Sequence, residues 1–268
     1  MTFYEWITSS FPNPKIDGHW GWLHITTLVV CVGVVVALYF IFRKKSDKAK
    51  RCVLFIFAGV LLLFEITRRV AYFVEVGDAL DLNGVLHALL PRPMCAMMSF
   101  MVILAPFINK KGFYTVTSIG GLLATGVFFL YPGVGFNNQY ILFTNLYSIC
   151  THSIIFTASI TFIVFKLAQF RYKEIWKSVV FLACCVIWAL IQAYVLKIEY
   201  DAMYFMPNGD IHEIIGLPYP IFLLLYVLFV FVYVNIYYLI YDRKNVGKFL
   251  SGLTRKKAKK PKAPTPDN

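Results

Sequence analysis

The stretch YILFTNLYSICTHSIIFTASITFIVF, residues 140–165, decides how this chain must be read. It contains no Asp, Glu, Lys or Arg and exceeds the roughly 20 residues a helix needs to cross a hydrocarbon core. In its middle stands His152. A titratable imidazole at membrane depth is costly, so such a group is a functional candidate by default.

Six more apolar runs flank it, so that seven spans are expected at 22–42, 52–73, 85–108, 113–131, 139–165, 178–196 and 217–241. Hydrophobic residues make up 59% of the 268, aromatics 18%, and the mean hydropathy is +0.66. That is too apolar for a water-soluble core of this size. Backbone in lipid must satisfy its own hydrogen bonds, which leaves helices or a closed barrel. Strand-like alternation is absent, so the expected fold is all-α, a polytopic seven-helix transmembrane bundle.

Charge sets its orientation. The segments after spans one, three, five and seven hold 21 of the 26 Lys and Arg, among them Arg43, Lys44, Lys45, Lys110, Lys111, Arg171 and Lys173. The opposite segments hold only Lys15 and Lys197, and carry Glu5, Asp17, Glu75, Asp78, Asp81, Glu199, Asp201, Asp210 and Glu213. The positive-inside rule then puts the N-terminus outside and the C-terminus in the cytoplasm, in a multi-pass protein of the cell membrane. Three regions follow: 1–21, an outer interfacial segment with Trp6 and Trp20; 22–241, the membrane domain; and 242–268, a basic tail expected to be disordered and held near anionic lipid.

The net charge of +12 is therefore topological, and no nucleic-acid partner is expected. None of the six cysteines falls in an outer loop, which argues against a disulfide framework. Neither a phosphate-binding glycine loop, nor an HExxH motif, nor a Cys/His spacing suited to zinc is present, so no cofactor or metal is expected. Residues 1–21 lack the basic start of a cleavable signal peptide.

Polar groups inside the spans carry the functional argument. A rise of about 1.5 Å per residue puts Glu65 roughly 12 Å, Cys95 roughly 15 Å and His152 roughly 20 Å below the outer ends of their spans. Arg92, Cys95 and Ser99 share an i, i+3, i+7 face, as do Asn145, Ser148 and His152. Glu65 can pair with Arg68 or Arg69 one turn on. Pro91 and Pro93 bracket Arg92 and break the outer turn of span three. These features describe a polar cavity opening outward, rimmed by Asn137, Asn138 and Gln139. A Cys/His pair suits nucleophilic acyl chemistry: the imidazole takes the thiol proton and the thiolate attacks an acyl carbon. Arg92 offers a two-pronged partner for a lipid phosphate.

Each residue also has a plainer reading. A buried cysteine is ordinarily a small hydrophobe. Glu65 with Arg68 reads first as a structural pair, and His24 and His87, close to the outer interface, as solvated histidines. Asn235 reads as interhelical glue.

The sequences Gly21-Trp22-Leu23-His24, Phe64-Glu65-Ile66-Thr67-Arg68, Leu90-Pro91-Arg92-Pro93-Met94-Cys95, Tyr131-Pro132 and Thr151-His152 occur in an order that resembles bacterial YwaF-like integral membrane proteins. Those are similar to vertebrate transmembrane protein 164, a cysteine acyltransferase of ether phospholipids. The likeness spans residues 20–240. It implies that the paired cysteine and histidine of the third and fifth spans are Cys95 and His152, and that membrane phospholipid is the substrate. Pro93 departs from the polar residue more common there. On this reading Cys95 is nucleophile and His152 general base. Arg92, Asn145 and Ser148 support the oxyanion or headgroup, with Glu65, Arg68 and His24 around them. The alternative is a transporter or binding protein for a small anionic solute held by Glu65, Arg68, Arg92 and His152. A sensor acting through the tail has least support, since no cytoplasmic loop can hold a domain. Oligomeric state is not legible.

Overall fold

The computed structural model describes residues 11–12, 21–76, 85–86, 89–91, 93–130, 136, 140–141, 143–197, 203–207 and 209–258. Its helices are α1 (Trp22–Phe42), α2 (Asp47–Val76), α3 (Met94–Ile108), α4 (Lys111–Leu130), α5 (Phe143–Val164), α6 (Ile175–Leu190), the short α7 (Asp210–Ile215) and α8 (Tyr219–Ala258). A wider π turn, Ile191–Val195, continues α6. Two residue pairs, Phe11–Pro12 (β1) and Tyr140–Ile141 (β2), lie antiparallel. Most of the remaining described residues are turns and connections, apart from a 3-10 turn at Tyr172–Glu174.

Among the described residues, five helices are long and apolar enough to cross a membrane: α1, α4, α5, the α6 region and α8. The other two expected spans differ for physical reasons. Helix α2 is 30 residues long but carries Glu65, Arg68 and Arg69 within its apolar run. Helix α3 is only 15 residues because it starts at Met94, not at 85. Proline disfavours helical backbone in the residue before it and has no N–H to donate, so Pro93 caps the helix in extended conformation.

Connections are set by local chemistry. The Ser46 hydroxyl accepts from the Ala49 N–H at 3.3 Å and so caps α2. Asn109, left-handed at φ 48°, ends α3 and lets α4 begin two residues later. Gly216, at φ 66°, ends α7 the same way. Helix α8 continues to Ala258 past a kink at Asp242, and residues 259–268 of the basic tail lie outside the described residues. The kink is pinned: the Asp242 carboxylate accepts from the Tyr172 N–H at 2.8 Å and from Asn245 at 2.7 Å. No proline interrupts 243–258, so the backbone there has no reason to stop.

Helix α5 is the centre of the bundle and packs against α1, α2, α3 and α4. Two-thirds of the apolar window of α4 is buried, against 11% in α1 and α8, which therefore face outward. The α4–α5 contact is close because α4 presents glycines. A Cβ at Gly121 would lie 2.1 Å from the Ser159 hydroxyl and 3.3 Å from Ile155 Cγ2. Small residues permit such approach where hydrophobic force between helices is weak. Gly121→Ala is expected to cost about 1–3 kcal/mol through overpacking. Thermal unfolding in detergent should show that loss, and show it largely reversed in Gly121→Ala/Ser159→Gly. An additive double variant would mean the two positions do not share a contact.

Candidate active site

Cys95 and His152 line one cavity of about 330 Å³. Leu123 and Val127 of α4, Phe222 and Phe229 of α8, and a flap formed by Met203, Tyr204, Ile211 and Ile215 complete its walls. Apart from the thiol, the imidazole and two tyrosines, the lining is apolar, which corrects the expectation of a polar cavity: the charged groups of α2 pair with one another instead of lining it.

Cys95 reaches this cavity from the first turn of α3, one residue after the helix starts. The first backbone bond of that helix runs from the Met97 N–H to the Pro93 carbonyl, so the earlier N–H groups have no helical acceptor. A helix start also carries partial positive charge. The approach to the helix is held from α6, where the Trp188 indole N–H donates to the Pro91 carbonyl at 2.9 Å. One turn below, the buried Ser99 hydroxyl donates to the Cys95 carbonyl at 3.3 Å.

His152 comes from the central helix. Its Nδ1 lies 2.7 Å from the Ser148 carbonyl and 3.3 Å from the Ser148 hydroxyl. Only a protonated Nδ1 can bond a carbonyl, so in the neutral ring Nε2 carries the lone pair. The ring stacks on Phe128 at 3.9 Å between centroids and 9° between planes. Position, tautomer and ring plane are thus all constrained.

The other expected residues fall elsewhere. Arg92 lies outside the described residues, while Cys95 and Ser99 both stand on α3. Asn145 is on α5, but its side chain lies outside the described residues, as do His87 and the rim residues Asn137, Asn138 and Gln139. Glu65 and Arg68 do not line the cavity. Glu65 is buried and bonded to Arg69 of its own helix, with Arg68 at 3.6 Å. The Tyr147 hydroxyl donates to Glu65 across the α2–α5 contact at 3.2 Å. Arg69 also donates to the Leu89 carbonyl at 3.4 Å and lies over the Phe100 ring. The cluster ties α2 to its neighbours and has neutralised its own carboxylate.

His24 corrects the expectation of a solvated interfacial residue. It is fully buried against Phe136, 4.8 Å between centroids, and stacks on Phe129 at 6.3 Å. Phe128 touches Phe136 on one side and His152 on the other, so His24 supports the site through an aromatic layer. Asn235 behaves as expected of an interhelical bond: it accepts from the Tyr172 hydroxyl at 3.1 Å.

Sequence reading missed the flap, Trp188, Phe128 and Tyr147. The flap had a signal: Ile211, Ile214 and Ile215 stand at helical spacing shortly after the apolar stretch Met203-Tyr204-Phe205-Met206. Trp188 and Tyr147 had none, since an aromatic in an apolar span is ordinary.

No curated protein and no solved structure matches the chain. A model of the TMEM164 family matches residues 17–238 and so takes in every helix that lines the cavity: the chain belongs to the TMEM164 family.

Proposed function

We propose that the protein is a cofactor-independent acyltransferase acting on (ether) phospholipid or lysophospholipid, with Cys95 as nucleophile and His152 as general base. The observation that carries this reading is that both side chains line one apolar cavity, with His152 Nδ1 committed to a carbonyl. That leaves Nε2 as the basic atom of the ring.

Nε2 takes the Cys95 thiol proton, and the sulfur attacks the ester carbonyl carbon of a phospholipid. The ester C–O bond then breaks, and the leaving lysolipid oxygen takes the proton back from Nε2. An acyl thioester remains on Cys95. The hydroxyl of an acceptor lysophospholipid gives its proton to Nε2 and attacks the thioester carbonyl. The C–S bond breaks and the thiolate recovers the proton. The unpaired N–H groups at the start of α3 are the donors for the oxyanion of both tetrahedral intermediates. Arg92 and Asn145 are assigned to the lipid headgroup, where a guanidinium grips phosphate with two N–H groups. The flap limits water, which would turn transfer into hydrolysis.

The same reading places seven spans in the cell membrane, N-terminus outside, with the cavity near the bilayer midplane and the basic C-terminal segment against anionic cytoplasmic lipid. A solute site built from Glu65, Arg68, Arg92 and His152 has less support: Glu65 and Arg68 are tied to each other and to Arg69 and do not line the His152 cavity.

The test is labelling of the purified protein in nanodiscs with an activated acyl probe, followed by peptide mapping. Selective modification of Cys95 among the six cysteines, lost in His152→Ala, is expected. Uniform labelling that ignores His152 would reject the pair.

A further inference from the structure

The reacting cavity does not end at the reacting groups. Leu123, Met203 and Tyr226 line it and also line a second cavity of about 270 Å³ between α6 and α8. Its lining is apolar except for Tyr226 and Asn235, and both of these are engaged within the protein. The Tyr226 hydroxyl donates to the Met203 carbonyl at 2.8 Å, and Asn235 bonds Tyr172 and the Phe231 carbonyl. Leu182 and Val234 form a buried base, whereas Val179, Val227 and Phe231 are more than half exposed at the rim. The slot therefore opens sideways, toward the lipid around the bundle. Tyr226 and Asn235 are nine residues apart on α8, which makes it roughly 13 Å long.

We propose that this slot holds the hydrocarbon chain of the lipid whose ester reacts at Cys95, and that its length from Tyr226 to Asn235 selects chain length; the proposal rests on the acyl-transfer reading. In the proposed orientation α8 runs inward, so the slot leads from the reacting cavity inward through the bilayer middle. That is the direction in which the chain of an outer-leaflet lipid hangs. A hydrocarbon chain gains little by leaving lipid for an equally apolar wall. The slot therefore acts through register: a chain too long for it displaces the ester from the thiol. Val230 on α8 and Ala183 on α6 face each other's helix across the slot and do not touch the reacting cavity, which makes them the length-setting positions.

Full-length protein in nanodiscs would receive a phosphatidylcholine with a diazirine near one chain end and, separately, butanoyl and hexadecanoyl thioesters. Crosslinks are expected at Leu182, Val230 and Val234, and are expected to disappear in Val230→Trp. In that variant acylation of Cys95 by the hexadecanoyl group should fall roughly tenfold, as for an overfilled site, while butanoyl transfer stays near the wild-type level. Crosslinks confined to the outward-facing side chains of α1 and α8 would overturn the proposal. So would an equal fall for both chain lengths in Val230→Trp and in Ala183→Phe on the opposite wall, or no change in either. Crosslinks in the slot without any acylation of Cys95 in the wild type would instead sink the acyl-transfer reading and keep the slot as a lipid-chain site.

Discussion

Cys95→Ala is expected to reduce acyl transfer between phospholipid and lysophospholipid to background, and His152→Ala to lower it roughly 10²–10⁴-fold, the usual effect of removing a general base. The two act as one unit, because His152 has nothing to deprotonate in the first step once the thiol is gone. The double variant should therefore be no slower than Cys95→Ala alone. Ser148→Ala should change little, since the carbonyl at 2.7 Å, and not the hydroxyl at 3.3 Å, holds Nδ1. Transfer of a labelled acyl chain by purified protein in nanodiscs measures all four. Wild-type rates in Cys95→Ala would remove the thiol from the mechanism. Strictly additive losses would mean that the two side chains serve separate ends.

The largest structural effect is expected at Glu65. Its carboxylate is buried and is the shared partner of Arg69, Arg68 and Tyr147. Glu65→Leu strands two guanidinium groups at the α2 surface, and breaking a buried pair from one side typically costs about 3–5 kcal/mol. Tyr147→Phe removes one interhelical bond and should cost about 0.6 kcal/mol. Replacing Glu65, Arg68 and Arg69 together with leucine should recover most of the loss, because no unpaired charge remains. Unfolding in mixed detergent measures the series. A Glu65→Leu protein as stable as wild type would show that the cluster is not structural. Selective loss of solute binding at unchanged stability would revive a transport role.

Much of the molecule was legible in the chain because its solvent is simple. In lipid, apolar length alone identifies helices, and the seven runs each overlap one of α1–α6 and α8, although Pro93 delays α3, β2 precedes α5 and α8 continues 17 residues past the last run, to Ala258. Periodicity on one helix was equally readable: Ser148 and His152 do lie on one face and bond. Features that need a second helix were not readable. His24 stands at the end of a span, where water is the natural partner, and only the packing of α1 against α4 and α5 buries it beside Phe129 and Phe136.

The sequence by itself determined the solvent, the helices, and the two residues whose chemistry is out of place there, because burial of a histidine in an apolar run is a local fact. Which of those groups share a space was decided only by tertiary structure. Glu65 and His152 have similar depth in the sequence, yet one closes on its own arginines and the other opens on the Cys95 cavity. Depth is a property of one helix, set by rise per residue. Facing across helices depends on how side chains interdigitate, and Gly121, Phe128 and Trp188 acquire their roles only when α4, α5 and α6 are packed together.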